Sequence, residues 1–146
     1  MRFRKLITLI LSVASLVVAQ PITGEADNLE FKKDRIIYEG NVKLIRGESV
    51  LKADKVIIFL DENNKPLKMV ATGRVVYIEP KRRAVSEYVE YDFREETILL
   101  RGNAKVEEDK NVLEADEILY DKKKDSLKAK GDKSRVRTIY IEEEKE

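Results

Sequence analysis

Apolar side chains recur at every second position in series that are each centred on a glycine. The first series is Ile36, Tyr38, Gly40, Val42 and Leu44. The second is Met69, Ala71, Gly73, Val75 and Tyr77, and the third is Ile98, Leu100, Gly102, Ala104 and Val106. Leu127, Ala129 and Gly131 begin a fourth, which breaks down at Lys133 and Arg135. The intervening positions are mostly polar, as with Glu39, Asn41 and Lys43 or Arg101, Asn103 and Lys105. A period of two held over nine residues predicts a strand with one apolar face; on a helix the same residues would point all round the axis. The glycines are spaced by 33, 29 and 29 residues, so the chain repeats itself.

A second element lies between the glycines. It opens on a small residue and an acid and continues in alternation: Ala26-Asp27-x-Leu29-x-Phe31, Ala53-Asp54-x-Val56-x-Ile58, Ser86-Glu87-x-Val89-x-Tyr91 and Ala115-Asp116-x-Ile118-x-Tyr120. Turn-forming clusters separate the elements, at 32–35, 61–66, 92–96 and 121–126 on one side and at 47–49, 80–83 and 107–111 on the other. The predicted unit is two strands and two turns, repeated about four times. Eight main strands follow, some split at the central glycine. No stretch combines a 3.6-residue period with helix caps, so almost no helix is expected after the N-terminal segment.

A glycine midway along an apolar strand face permits a bend or a close backbone approach. Gly40, Gly73, Gly102 and Gly131 at matched positions would align into a crease across the sheet. The expected fold is all-β: a creased, V-shaped antiparallel β-jelly roll, open at both ends. Its inner face would be apolar, with small residues such as Ala71, Ala104 and Ala129 beside the crease. They either leave a groove or let the two halves pack closely, and the alternation fits both. The first strand (about 24–31) and the last (about 134–141) would expose unpaired backbone, and such edges recruit further strands.

The N-terminus changes the domain reading. Arg2, Arg4 and Lys5 precede the uncharged run Leu6–Ala19, and Val17-Val18-Ala19 before Gln20-Pro21 resembles a signal-peptidase site. Residues 1–19 are therefore read as a cleaved signal peptide and 20–146 as a single exported domain. The alternative is a retained anchor, for which fourteen residues at about 1.5 Å each fall short of a ~30 Å bilayer core. Loss of the three basic residues leaves 26 Lys+Arg against 28 Asp+Glu, without the basic excess of a nucleic-acid binder. Charged residues make up 39% of the chain, which fits either a hot habitat or a thin protein with much surface.

The chain has no Cys and no His. Ser-His and Cys-His catalytic arrangements and His/Cys zinc sites are thereby excluded. Gly40-Asn41 and Gly102-Asn103 lack the pattern of a phosphate loop. Asp27, Asp54, Glu87 and Asp116 form an acidic ladder that could hold a cation or, as the simpler expectation, pair with neighbouring lysines. Glu107-Glu108-Asp109 reads as a hairpin tip. Lys81-Arg82-Arg83 and Lys122-Lys123-Lys124 read as solvated turns that could touch phosphates. No catalytic site, metal or cofactor is expected. A carboxylate enzyme would need two acids converging in a cleft, whereas the pattern spreads them along the rims.

Tyr38-x-Gly40-Asn41-Val42-x-Leu44, Leu100-x-Gly102-Asn103-Ala104-x-Val106 and the Ala-Asp-x-Val-x-apolar element resemble the LptA/OstA family over about residues 24–140. The resemblance implies a creased β-jelly roll whose apolar trough holds the acyl chains of lipopolysaccharide. It also implies end-to-end joining by strand addition into a homo-oligomer, as a periplasmic bridge between an inner-membrane jelly-roll partner and an outer-membrane translocon of the Gram-negative envelope. Carried over by position, the lipid-facing residues are Ile36, Tyr38, Val42, Leu44, Met69, Val75, Tyr77, Ile98, Leu100, Ala104 and Val106, with Val56, Ile58, Val89, Tyr91, Ile118 and Tyr120 from the partner strands. The chain is short for the family, which implies few acyl chains per subunit. Two alternatives stand beside this: a membrane-anchored LptC-like member of the same system, if the N-terminal segment is retained, and a structural adaptor that binds no lipid.

Overall fold

The computed structural model describes residues 23–141; the expected signal peptide lies outside them. Among the described residues there is no helix. Ten antiparallel strands form one sheet: β1 (Thr23–Glu25), β2 (Asn28–Lys32), β3 (Arg35–Arg46), β4 (Ser49–Leu60), β5 (Pro66–Glu79), β6 (Arg82–Asp92), β7 (Thr97–Glu108), β8 (Asn111–Asp121), β9 (Ser126–Lys130) and β10 (Arg137–Ile139). From β3 to β8 each strand pairs with its neighbours in sequence. The sheet does not close: β1 and β2 lie end to end on β3, and β9 and β10 lie end to end on β8. The eight expected strands are thus present; the splits fall in the two edge strands, that of the last one beginning at Gly131, while β3, β5 and β7 run through their central glycines. The last strand is also shorter than expected, with only Arg137–Ile139 paired.

The crease is a line of β-bulges. Gly40, Gly73 and Gly102 have φ of 86°, 81° and 85°, and the following residues Asn41, Arg74 and Asn103 have 48°, 47° and 48°. At each site the register shifts by one, so β3, β5 and β7 carry one residue more than both neighbours. An extra unpaired residue bends a strand and increases its twist. The pairing Glu39↔Lys55 resumes at Val42↔Ala53, so two steps on β4 face three on β3, and the inward phase slips by one on the even strands. Leu51 and Ala53 face the core before the slip, Val56 and Ile58 after it. Gly131, expected as the fourth crease residue, lies just past β9 in the segment that leads to β10, and its φ is not among the positive ones.

One core joins the inner faces of both halves. Val56, Ala71, Val106 and Ile118 are 0% exposed and Ile98 and Ala104 1%. The outer face is charged, as expected of a folded single sheet in which alternate residues meet water. Its aromatics are covered by arginines, with Arg35 over Phe59 and Arg101 over Tyr88.

Candidate functional site

The inner face below the crease is made of two apolar rows that cross the whole sheet. One runs Leu29, Tyr38, Val56, Ala71, Val89, Leu100, Ile118, Ala129, each residue opposite the next. The other runs Phe31, Ile36, Ile58, Met69, Tyr91, Ile98, Tyr120, Leu127. Above the crease a third runs Gly24, Leu44, Leu51, Tyr77, Ala84, Val106, Leu113, Thr138. The expected inner-face residues are all brought together here. Val42, Leu44, Val56, Met69, Val75, Tyr77, Val89, Tyr91, Ile98, Leu100, Ala104, Val106, Ile118 and Tyr120 are buried, while Ile36, Tyr38 and Ile58 are half-buried.

Sequence reasoning missed Leu51, Ala53, Ala84, Ser86, Leu113 and Ala115, which are buried on the same face. Their signal was the three-residue step from Ala53 to Val56, Ser86 to Val89 and Ala115 to Ile118, which marks the phase slip.

The two halves pack closely at the centre. Leu51, Met69, Val75, Tyr77, Ala84, Ser86, Val89 and Leu100 enclose a cavity of only about 20 Å³, room for about one water. Of the two options left by the small residues, close approach is the one observed. Burial then falls off toward the β2 end. Leu29 is 51% and Phe31 70% exposed, although both continue the inner rows. The trough is therefore filled in the middle and uncovered at its first strand.

The acidic ladder holds the bulges. The Asp27 carboxylate accepts from Asn41 Nδ2 at 2.8 Å, Asp54 from Arg74 Nη2 at 2.8 Å, and Glu87 from Asn103 Nδ2 at 3.1 Å. Each acid also lies on the glycine before its partner: a Cβ at Gly40, Gly73 or Gly102 would stand 2.9, 2.7 or 2.8 Å from the acid's own Cβ. The partners are thus bulge residues, not the expected lysines. Asp116 has no such bulge to meet. It accepts instead from the backbone N–H groups of Asp132, Lys133 and Ser134, the last two at 2.8 and 2.9 Å. These bonds hold its carboxyl down at about 2. Among the described residues no acidic cluster is arranged to hold a metal ion.

Glu107-Glu108-Asp109 is not a hairpin tip throughout. Strand β7 runs to Glu108, which continues the inward phase of Ala104 and Val106 and is 5% exposed. Arg82 stands between Glu79, at 3.2 Å, and Glu108, at 3.7 Å. Tyr77 donates its hydroxyl to Glu79 at 2.8 Å, and burial first, then this carboxylate, pushes the phenol well above its ordinary pKa. This cluster closes the core at the upper turns. Lys123 in the other basic turn donates to the Arg94 carbonyl at 2.9 Å.

Residues 21–126 match the family model described as "LptA/(LptD N-terminal domain) LPS transport protein". The chain is 32% identical over 135 residues to the lipopolysaccharide export system protein LptA of Haemophilus influenzae, covering 85% of this chain and 78% of that one. It is 26% identical over 119 residues to the lipopolysaccharide export system protein LptH of Pseudomonas aeruginosa, covering 75% of this chain and 68% of that one. The crystal structure of LptH, the LptA-homologous periplasmic component of the lipopolysaccharide transport device of Pseudomonas aeruginosa, superposes with a TM-score of 0.69 at 21% identity, over 84% of this chain and 96% of that one. That likeness fixes the shared fold.

Proposed function

The chain belongs to the LptA/LptD N-terminal domain family of LPS transport proteins, and on that premise we propose that it is a periplasmic carrier that passes lipopolysaccharide toward the outer membrane as a segment of a protein bridge. The observation that carries this reading is the pair of apolar rows running unbroken from β2 to β9 with their first rungs, Leu29 and Phe31, uncovered. Acyl chains seated along these rows would leave water at about 0.8 kcal/mol per buried CH₂. No bond need be made or broken, so the protein acts as a non-enzymatic carrier driven by an energy source elsewhere.

The packed centre sets where lipid enters. A cavity of about 20 Å³ admits no acyl chain until the halves part, whereas Phe31, Leu29, Ile36, Tyr38 and Ile58 offer apolar surface at once. Entry is therefore assigned to the β2 end, and the half-buried residues there are the first lipid contacts. The two ends join copies, and the bridge's membrane-bound neighbours, by strand addition.

Phe31→Asp tests the entry, because a side chain 70% exposed can change without loss of the fold. Native mass spectrometry of the exported chain with lipopolysaccharide and, separately, with phospholipid should show selective lipopolysaccharide binding that the variant loses. Full capture by the folded variant would refute the assigned entry, and absence of capture by the unaltered chain would refute the carrier reading.

A further inference from the structure

On the outer face, lysines meet acids with one exception. Strands β3 to β8 carry five lysines. Three of them reach a carboxylate: Lys55 Nζ lies 3.4 Å from Glu39, Lys68 Nζ 3.1 Å from Glu90 and Lys105 Nζ 2.9 Å from Glu107. The other two, Lys43 and Lys52, stand directly opposite each other on β3 and β4. Both point outward, because their chain neighbours Val42, Leu44, Leu51 and Ala53 are buried. Neither ammonium group forms an ion pair or a hydrogen bond with another described residue. Glu25 faces Lys43 from β1 without pairing with it.

Like charges directly opposite destabilise a strand pair, and a cleft opens at this one. Asn41, Lys43, Lys52, Asp54, Arg74 and Val76 line a space of about 370 Å³ beside the first two bulges, within the size range of ligand clefts. The one acid among them, Asp54, is engaged by Arg74 through Nη2 at 2.8 Å and Nε at 3.4 Å. Those bonds use two of the five N–H donors of a guanidinium, and the Arg74 side chain is 83% exposed, so donors remain for a ligand. The bulge position filled by Asn41 in β3 and Asn103 in β7 is filled by a cation here. Three cations against one carboxylate leave an excess of two positive charges in the cleft.

We infer that this outer cleft is a second binding site, for a phosphomonoester group borne by a soluble compound or by a lipid headgroup. Such a group carries a charge of about −1.5 to −2 near neutral pH and three acceptor oxygens, which matches the excess in the cleft. The two ammonium groups are compact charges whose donors rotate to meet the oxygens, and Arg74 adds charge-assisted hydrogen bonds from the rim. A bound dianion between Lys43 and Lys52 replaces their mutual repulsion by two attractions, so the ligand stabilises the strand pair that its absence leaves strained. None of the six lining residues belongs to the apolar rows of the inner face, and the site stands whether or not the trough carries lipid.

The test is a titration of the exported chain with inorganic phosphate at constant ionic strength, followed by amide NMR. Saturable shifts should appear at residues 41–43, 52–54 and 74–76. Lys43→Gln and Lys52→Gln should each lower the affinity about fivefold. Lys105→Gln, which removes a lysine that already has its acid, should leave it unchanged. Lys52→Glu gives Lys43 an acid opposite, so it should abolish binding and raise the urea midpoint of the free chain. Binding undiminished in both glutamine variants, or shifts that grow linearly and spread over every basic turn, overturns the site. Vesicles of phosphatidylcholine with phosphatidic acid separate the two sources. Co-sedimentation that Lys52→Gln abolishes supports the site with a lipid headgroup as its ligand, and phosphate binding without co-sedimentation supports it with a soluble phosphate. Phe31→Asp should leave phosphate binding intact, which keeps failure here apart from failure of the carrier reading.

Discussion

Gly102→Ala is expected to be among the most damaging single-methyl changes in the protein. The residue sits at φ 85°, where an L side chain costs about 1–2 kcal/mol. Its new Cβ would also meet the Cβ of Glu87 at 2.8 Å. That atom cannot swing away as the end of a long side chain would, so β6 and β7 must separate at the bulge, and overpacking of this kind costs about 1–3 kcal/mol. The sum is about 3 kcal/mol, a large part of the 5–15 kcal/mol typical of a domain. Gly47→Ala is the control: φ is 58° in an exposed turn, so only the backbone cost of about 1 kcal/mol applies. Glu87→Gly removes the obstructing Cβ, and combined with Gly102→Ala it should recover the packing part of the loss. Urea unfolding of the four variants measures this as a double-mutant cycle with a control. A cost for Gly102→Ala no greater than for Gly47→Ala, or no coupling to Glu87, would refute the idea that the repeated acid and glycine are matched to each other.

Three further outcomes follow from the packing. Val75→Asp, at a site 2% exposed, should abolish the cooperative thermal transition, in contrast to Phe31→Asp, which should melt close to the unaltered chain. Arg82→Leu leaves Glu79 and Glu108 without their shared cation and should cost about 3 kcal/mol in urea unfolding, because one partner of a buried pair is removed. Asp116, whose folded carboxyl is depressed to about 2, binds its proton less readily in the folded state than in the unfolded one. The stability it adds is present above about pH 4 and is lost as pH falls through about 2; amide exchange at residues 132–134 should accelerate over that window, and Asp116→Asn should show accelerated exchange at neutral pH.

The odd strands were legible because their apolar residues keep one phase through the glycine. Tyr38, Val42 and Leu44 count in twos without interruption, and all face inward. The even strands were half legible. Reading Val56 and Ile58 as the apolar series hides Leu51 and Ala53, because the bulge opposite displaces the phase by one, and the same happens at Ala84 and Leu113. The contact between Asp54 and Gly73, or between Glu87 and Gly102, could not be read, since it depends on a register set by turns of differing length. Glu108 was misread through its neighbours: an acidic triplet looks like a solvated tip, yet the inward phase of Ala104 and Val106 already pointed at it. Alternation also cannot distinguish a groove from a packed core, because both need the same apolar face. The high charge content has its physical account in the fold itself, whose outer surface receives every second strand residue. Its ion pairs are mostly exposed, as with Lys55–Glu39 and Arg74–Asp54, and such pairs contribute little each.

The repeated stretches around Gly40 and Gly102 thus belong to one device, in which the acid of one strand occupies the space left by the glycine of the next. The device is complete on β3, β5 and β7 and missing at the C-terminal edge, where Asp116 is saturated by the backbone of 132–134. The edge is consequently interrupted, and a partner strand can pair only with the five residues of β9 and the three of β10. A joint in two short pieces should be reversible, and it should weaken when either piece is lost. Thr138→Pro removes a backbone donor and fixes φ in the middle of β10. All three β10 residues are exposed, so thermal stability should change little, while self-association in sedimentation should weaken and lipopolysaccharide capture should persist. Association unchanged by Thr138→Pro would mean that β9 alone carries the joint.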